Sequence, residues 1–281
     1  MNVLLRRIAV LVSVLAAGMA HGAITCTVTS GGFAAAYVPA SPSMSITPTS
    51  FRVTCTKGAI GDPASVNFGV TVDNGLYAQG INNRASSGAA LIRYDVFRDA
   101  ACAATWKGAT AITGTVSTPT TGTFSTNVSF WGCIAAGLNP AAGVYLDTVT
   151  MTMTYGPGAG TTTTGSFGVS ITTPPFCSIS PPSAIVVNYA AFQAATNPTA
   201  PFSVTCSNGL SYTMVLSPTA VTLPAIGISY TIAFTPAVTT GTGLPQSYSI
   251  AVTVPGGQAG TCSSSTTACA QAQVHTLTIT Y

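Results

Sequence analysis

The sequence predicts an all-β protein built as two tandem β-sandwiches, and three observations support this. Short runs that alternate in polarity, or that are β-branched and aromatic, recur with Gly, Pro and Asn between them. No stretch beyond the first two dozen residues shows a convincing helical period. The residues that surround one cysteine, and the residues of one predicted strand, each occur in two similar copies along the chain. Short strands separated by regularly spaced turns are typical of a sandwich or barrel.

The clearest predicted strands lie in both halves of the chain. They are SVNFGVTV (65–72), LIRYDVF (91–97), TFSTNVSF (123–130), SYTMVL (211–216), ISYTIAF (228–234) and YSIAVTV (248–254). With disulfides expected inside each copy, an immunoglobulin-like sandwich is favoured for both.

The first residues have the features of a secretory signal peptide. Arg6 and Arg7 precede the apolar run IAVLVSVLAAGMA, which is too short to cross a bilayer as a helix. Small residues lie at Ala20 and Gly22, which suits cleavage after Gly22. The sequence therefore predicts a signal peptide over residues 1–22 and an exported mature chain.

The mature chain carries very little charge. Charged residues make up 5% of the whole sequence, and all five acids are Asp. There is no basic stripe of the kind that nucleic-acid binding needs, and no basic face for anionic membranes. A surface of Thr, Ser, Ala and Gly is common in secreted fibres and coats, where net charge does not keep subunits apart.

The chain contains two copies of one pattern. Cys26 and Cys55 are separated by the same number of residues as Cys177 and Cys206. The other matching segments are FRVTCTKG (51–58) with FSVTCSNG (202–209), and DTVTMTMTY (147–155) with HTLTITY (275–281). We therefore expect two domains, at 23–173 and 174–281.

Eight cysteines in an exported chain indicate a disulfide framework. The duplication predicts the pairs Cys26–Cys55 and Cys177–Cys206 and leaves Cys102–Cys133 and Cys262–Cys269. No CxxC motif occurs and the mature chain has a single histidine, so neither a metal site nor a cofactor is expected.

Enzymatic chemistry has little support in this sequence. A Ser-His-Asp hydrolase would have to use His275 as its base, and no GxSxG nucleophile elbow occurs. A glycosidase needs two facing carboxylates, whereas the five aspartates are scattered through the first copy. A secreted hydrolase remains the alternative from another functional class, and the prediction is that this protein is not an enzyme.

Several motifs resemble the spore coat protein U family, which includes subunits of archaic chaperone–usher pili of the Csu type. The resemblance covers nearly all of the mature chain as two tandem copies. The second copy has His275 where the first has Asp147, and it lacks the YxD element. The motifs are an early CTV or CSI, VTC with a short Gly turn, YDVF (94–97), YTIAF (230–234), GVYLDTVTMTMTY (143–155) and GGQAGTC (256–262).

The resemblance implies a sandwich that lacks its last strand. In such pilins the N-terminal extension of the next subunit fills the groove by donor-strand complementation, after a periplasmic chaperone has held it. The resemblance also implies an outer-membrane usher as a partner. The chain ends on a strand pattern, so Leu277, Ile279 and Tyr281 are expected to border an acceptor groove.

The segment GSFGVSITT (165–173) is predicted to complete the first copy from within the chain. Phe167, Val169 and Ile171 alternate with small and polar residues, as a strand requires. The alternative is a plain linker. Only residues 23–25 would precede Cys26 after cleavage, so the subunit is expected to receive a donor strand but not to give one.

A complete first domain on an open second domain predicts a tip adhesin of a cell-surface pilus, mediating attachment to an abiotic or host surface and biofilm formation. The candidate contact residues lie in 33–44 and 133–143, although such residues often fill the ends of a core. An ordinary shaft or coat subunit and a sugar-binding tip, with Tyr37 as its one aromatic candidate, remain alternatives. The candidate contact residues are Tyr37, Val38, Pro39, Met44, Ile134 and Leu138.

Overall fold

The computed structural model describes residues 24–156, 160–235, 240–261 and 269–281. All of the described secondary structure except turns is strand, so the predicted all-β class is confirmed, and the described residues contain no helix that could cross a membrane. The predicted signal peptide, residues 1–22, lies outside the described residues.

Ten strands form the first half of the protein. The predicted strands 65–72, 91–97 and 123–130 all lie within strands of the structure. The strands are Thr25–Ser30 (β1), Phe33–Ala36 (β2), Ser45–Lys57 (β3), Ser65–Val72 (β4), Asn83–Ser87 (β5), Ala90–Phe97 (β6), Ile112–Ser117 (β7), Gly122–Ile134 (β8), Gly143–Tyr155 (β9) and Thr161–Thr173 (β10).

These ten strands form one curled sheet around a shared core. Its order is β1-β3-β8-β6-β5-β9-β10-β2, and β4 pairs with both β9 and β7. All pairs are antiparallel except that of β10 with β2. Alternate residues of the long strands point inward, which explains why hydrophobic and Thr residues alternate along β9 and β10.

The described residues of the second half form seven strands. The predicted strands 228–234 and 248–254 lie almost wholly within strands of the structure, whereas the strand predicted at 211–216 starts two residues later, at Thr213. The strands are Cys177–Ser180 (β11), Thr199–Cys206 (β12), Thr213–Ser217 (β13), Ala220–Leu223 (β14), Ile228–Thr235 (β15), Gln246–Thr253 (β16) and Thr276–Thr280 (β17).

The second half contains two separate sheets. One has the order β11-β12-β16-β15-β14, and the other contains only β13 and β17. A second cluster of buried hydrophobic residues, distinct from that of the first half, lies beneath them. Leu277 and Ile279 are only partly buried against this cluster. The duplicated sequence therefore forms two cores, but the second core is less completely covered.

Three of the predicted disulfides are present. Cys26–Cys55 and Cys177–Cys206 each join directly opposite residues of neighbouring strands, with the same Cα–Cα distance of 4.0 Å. Cys102–Cys133 joins the loop after β6 to the end of β8. Cys269 is also disulfide-bonded, and its predicted partner Cys262 lies outside the described residues.

A chain of aromatic rings forms the centre of the first core. Trp106 is fully buried, stacks on Phe51 with ring centroids 5.2 Å apart, and meets Phe130 edge-on at 5.0 Å. Its indole N–H donates to the carbonyl of Val70 at 2.8 Å, so the ring is buried without leaving a donor unpaired. Phe167 of β10 extends the chain, 5.2 Å from Phe130.

Replacing Phe167 with Ala should destabilise the first half strongly. The side chain is 2% exposed, and truncation of a buried Phe costs about 3–5 kcal/mol because a cavity remains. Chemical denaturation of the full chain should show an earlier first-half transition. Thr164→Ala, on the exposed face of the same strand, is the control and should change that transition little. Equal effects of the two substitutions would show that β10 is not packed as described.

Candidate functional site

The last strand of the first half, β10, lies between two other strands. It pairs with β9 along its whole length, from Thr161 opposite Tyr155 to Thr173 opposite Gly143. On its other edge it pairs with β2, which runs parallel to it. Strand β10 therefore closes the gap between β9 and β2 in the sheet.

The three apolar residues predicted for this segment face the core. Phe167 and Val169 are each 2% exposed, and Ile171 is fully buried. The strand begins at Thr161, four residues before the predicted start at 165. The four threonines before that start, residues 161–164, belong to the strand because β-branched Thr suits a strand and these residues pair with the end of β9.

The last strand of the second half, β17, has one unpaired edge. Among the described residues β17 pairs only with β13, from Ser217 opposite Thr276 to Thr213 opposite Thr280. Leu277 and Ile279 are half-buried, and Tyr281 is 56% exposed. No described strand lies beside β17 in the way that β10 lies beside β9. The edge that the sequence predicted to border a groove is thus unpaired here.

Residues 183–189, the groove wall segment, correspond to β2 but form no strand. The segment follows β11 as β2 follows β1, and its residues Ile185, Val187 and Tyr189 pack partly buried against the second core. The backbone of residues 183–187 makes no hydrogen bond to any described residue. In the first half β10 lies between β2 and β9. The groove wall segment and the unpaired edge of β17 hold the corresponding places in the second half.

A tyrosine hydroxyl contacts a residue of β9 in the first half and the residue just before β17 in the second. Tyr94 donates to a carboxylate oxygen of Asp147 at 2.6 Å, and the hydroxyl of Tyr230 lies 2.6 Å from Nε2 of His275. Nδ1 of His275 lies 2.7 Å from the carbonyl of Pro218 and must donate to it, because a carbonyl only accepts. In a neutral imidazole Nε2 then accepts from Tyr230.

The electrostatic environment of the two tyrosines differs. Burial raises the pKa of Tyr94, and the hydrogen bond to Asp147 raises it further. Burial alone raises the pKa of Tyr230. Both phenols therefore stay protonated at neutral pH and act as hydrogen-bond donors. His275, the one histidine among the described residues, has both ring nitrogens engaged in these contacts.

The sequence predictions for contact residues need correction. Tyr37 and Ile134 are 1% and 0% exposed, Pro39 is buried and Leu138 half-buried, so these side chains do not form an exposed patch. Burial of Tyr37 is possible because its hydroxyl donates to the carbonyl of Ala135 and accepts from the amide of Leu138.

Two of the predicted contact residues are exposed, but they lie at the end of the first half that leads into the second. Val38 is 52% and Met44 43% exposed. Loops 37–44 and 135–142 meet there through backbone hydrogen bonds, beside the end of β10 at Thr173. Burial of Tyr37 places the one aromatic residue considered for sugar binding inside the core.

An exposed loop that the sequence predictions missed lies between β4 and β5. In this apolar loop, residues 73–82, Leu76, Tyr77 and Ile81 are 72%, 42% and 74% exposed. Only Pro218 and Thr219 separate the corresponding strands β13 and β14, so the loop is specific to the first half. The difference in length between the two copies was the signal that could have identified it.

Polar contacts at its base fix the apolar loop. The buried carboxylate of Asp147 accepts from the amide of Leu76 at 2.8 Å. Lys107 donates to the carbonyl of Ile81 at 2.6 Å, and Arg84 donates to the carbonyl of Tyr77 at 3.0 Å. These groups satisfy the backbone of the loop while its apolar side chains stay in solvent. Such an exposed apolar patch is a signal of binding.

Comparison with known proteins shows several likenesses. No curated protein sequence matches the chain. Its fold is similar to a chaperone–tip adhesion subunit pre-assembly complex of archaic Csu pili from Acinetobacter baumannii, at 14% identity and a TM-score of 0.46, covering 92% of this chain and 100% of that one. It is also similar to the CupB6 tip adhesin of Pseudomonas aeruginosa, at 15% identity and a TM-score of 0.31, covering 53% and 43%.

A further likeness is to CfaE, the adhesive subunit of CFA/I fimbria of enterotoxigenic Escherichia coli, at 12% identity and a TM-score of 0.31, covering 50% of this chain and 46% of that one. Similarity at these levels carries no functional assignment. The family model of the Spore Coat Protein U domain, in contrast, matches residues 11–152, half of the chain. The family expected from the sequence motifs is thereby confirmed: this protein belongs to the Spore Coat Protein U domain family.

Proposed function

We propose that this protein is a secreted subunit of a chaperone–usher pilus and that its second half receives a donor strand from a neighbouring subunit. The observation that carries the proposal is that β17 is paired on one edge only among the described residues. Membership of the Spore Coat Protein U domain family supports it. Its partners are the donor subunit, a periplasmic chaperone that covers the groove first, and an outer-membrane usher.

The physical case for strand addition rests on unsatisfied backbone and half-buried side chains. An unpaired strand edge presents a row of N–H and C=O groups that can pair with another chain. Beside that edge, Leu277, Ile279, Ile185 and Val187 cover the second core only partly. A donor strand would pair with β17 and bury these side chains, which is the geometry of β-augmentation. Strand β10 shows the filled form of the same arrangement in the first half.

The proposal extends to a position at the tip of the pilus. The first half has its place between β9 and β2 filled by β10, so it has no equivalent open groove and is free to contact another surface. The residues proposed for that contact are Leu76, Tyr77 and Ile81 of the apolar loop. Contact with an abiotic or host surface would place the protein in attachment and biofilm formation. No catalytic role forms part of this proposal.

A self-complementing extension tests strand acceptance directly. The first half continues from Tyr155 into Gly156 and β10, and the second half ends on Tyr281, so a copy of residues 156–173 appended after Tyr281 reproduces the same connection. Burying its three apolar side chains is worth roughly 1.5–3 kcal/mol each. The thermal transition of the second half should rise by at least about 10 °C.

The matched control carries the same extension with Phe167→Ser, Val169→Ser and Ile171→Ser in the copied segment. Its length, loop and Thr content are unchanged, so any difference reports the apolar residues alone. If the two extended proteins melt at the same temperature, the second half does not accept a strand and the proposed function is wrong.

Loss of apolar side chains from the loop should reduce adsorption to an apolar surface. Leu76→Ser with Ile81→Ser, made in the self-complemented protein, should lower the amount bound to an alkyl-coated sensor at least tenfold, because two exposed anchors are removed. Val215→Ser, at a position of the second half that is 57% exposed, is the control. Unchanged adsorption of the double variant would mean that this loop is not the contact surface.

A further inference from the structure

Gln258 lies at the junction between the groove wall segment and the second sheet. Its backbone amide donates to the hydroxyl of Tyr189 at 2.9 Å, and its carbonyl accepts from the amide of Phe192 at 2.8 Å. Its side chain accepts from the amide of Ser229 at 2.7 Å and donates to the carbonyl of the same residue at 2.9 Å. A half-buried glutamine thus joins the chain around residues 189–192 to β15.

The side chain of Gln258 replaces a missing strand pair. In the register of β15 with β16, Thr231 lies opposite Thr253, so two residues further along Ser229 would lie opposite Pro255. Proline has no N–H and cannot complete that pair. The side-chain amide of Gln258 supplies both hydrogen bonds to Ser229 and also donates to the carbonyl of Pro255 at 3.0 Å. Both polar atoms of the Gln258 side chain, Oε1 and Nε2, are therefore hydrogen-bonded to β15.

A close backbone approach reinforces this junction. A Cβ at Gly256 would lie 2.8 Å from the backbone nitrogen of Ala195, so only glycine allows residues 193–195 to pack here. The amide of Gly257 donates to the carbonyl of Gln193 at 2.9 Å. The motif around Gln258 thus binds the chain that follows the groove wall segment along several residues.

The groove wall segment has little else to hold it. Its residues 183–187 make no backbone hydrogen bond to described residues, whereas the equivalent β2 is bonded to β10. In the first half the hydroxyl of Tyr37 accepts from the amide of Leu138 at 2.9 Å, which matches the contact of Tyr189 with Gln258. The first half has both the tyrosine contact and the strand, and the second has the tyrosine contact alone.

We propose that Gln258 is a positioning residue that keeps residues 183–192 in place for the incoming donor strand. The inference rests on the proposed function and names the group that preorganises its acceptor groove. A wall that is already in place does not have to be ordered when the donor arrives, so the donor associates faster. Loss of the Gln258 side chain frees residues 255–260 from β15. The backbone amide of Gln258, which donates to the hydroxyl of Tyr189, is then no longer held in place.

Hydrogen exchange of the unextended full chain tests the anchor without any donor. The amides of Ala190 and Phe192, which are hydrogen-bonded in this segment, should exchange at least tenfold faster in Gln258→Ala than in the unchanged protein. Tyr189→Phe, which removes only the hydroxyl, should show the same effect in the same segment. Gln271→Ala removes another contact between a glutamine side chain and the backbone, to Ala225, and should leave this segment unchanged. Equal exchange in the Gln258→Ala and unchanged proteins would overturn the proposal.

Association kinetics separate positioning from general stability. The probe is a dye-labelled peptide with the sequence of residues 161–173, followed by fluorescence anisotropy. Gln258→Ala and Tyr189→Phe should lower its association rate about tenfold and change its dissociation rate less than twofold. Tyr37→Phe, the equivalent change in the completed first half, should alter neither rate. An effect confined to dissociation would show a merely structural role and would overturn the proposal.

The two proposals fail in different ways. If the unchanged protein does not bind the peptide and the self-complementing extension does not stabilise it, the proposed function is wrong, and Gln258 has no groove to position. If the unchanged protein binds and Gln258→Ala binds at the same rate, the proposed function stands and the role of Gln258 is wrong.

Discussion

The backbone of a strand next to an apolar core must be paired on both edges or leave one edge open to another chain, and this constraint organises the whole protein. In the first half β10 meets it by lying between β9 and β2. In the second half β17 has a partner on one side only among the described residues. On the proposed function, the half-buried state of Leu277 and Ile279 and the absence of strand structure at 183–189 both follow from the donor strand that is not part of this chain.

The two halves differ most in the connections between their strands, where a difference leaves the shared fold unchanged. Between β4 and β5 the first half has the apolar loop, which is fixed at its base by Asp147, Lys107 and Arg84. Only two residues separate the corresponding strands of the second half, β13 and β14. The second half has instead the Gln258 junction beside its groove. On the proposed function, one copy has specialised in contacting a surface and the other in joining the next subunit.

Local patterns in the sequence predicted much of this structure. Equal cysteine spacing identified Cys26–Cys55 and Cys177–Cys206, because strand pairs at the same register repeat in both copies. Alternation identified Phe167, Val169 and Ile171 as inward-facing residues, because strand geometry has a period of two. The unpaired edge at β17 agrees with the expectation drawn from the family resemblance.

Features that depend on distant contacts could not be predicted in this way. Tyr37 is buried because Ala135 and Leu138, far along the chain, pair with its hydroxyl. Its position in the apolar segment 33–44 led to the prediction that Tyr37 is exposed. The junction at Gln258 likewise depends on the register that would place Pro255 opposite Ser229, which no local pattern reveals. Loops are the places where such contacts decide which side chains are exposed.

On the proposed function, the first half is complete and the second half is open to a donor strand. Residues 23–173 and 174–281, produced as separate chains in an oxidising periplasm and followed by circular dichroism during thermal unfolding, distinguish these two states. The first fragment should unfold in a cooperative transition on its own, and the second should aggregate or stay unstable until a chaperone or donor peptide is supplied. A cooperative, donor-independent transition of the second fragment would mean that its groove is not open and that the proposed function is wrong.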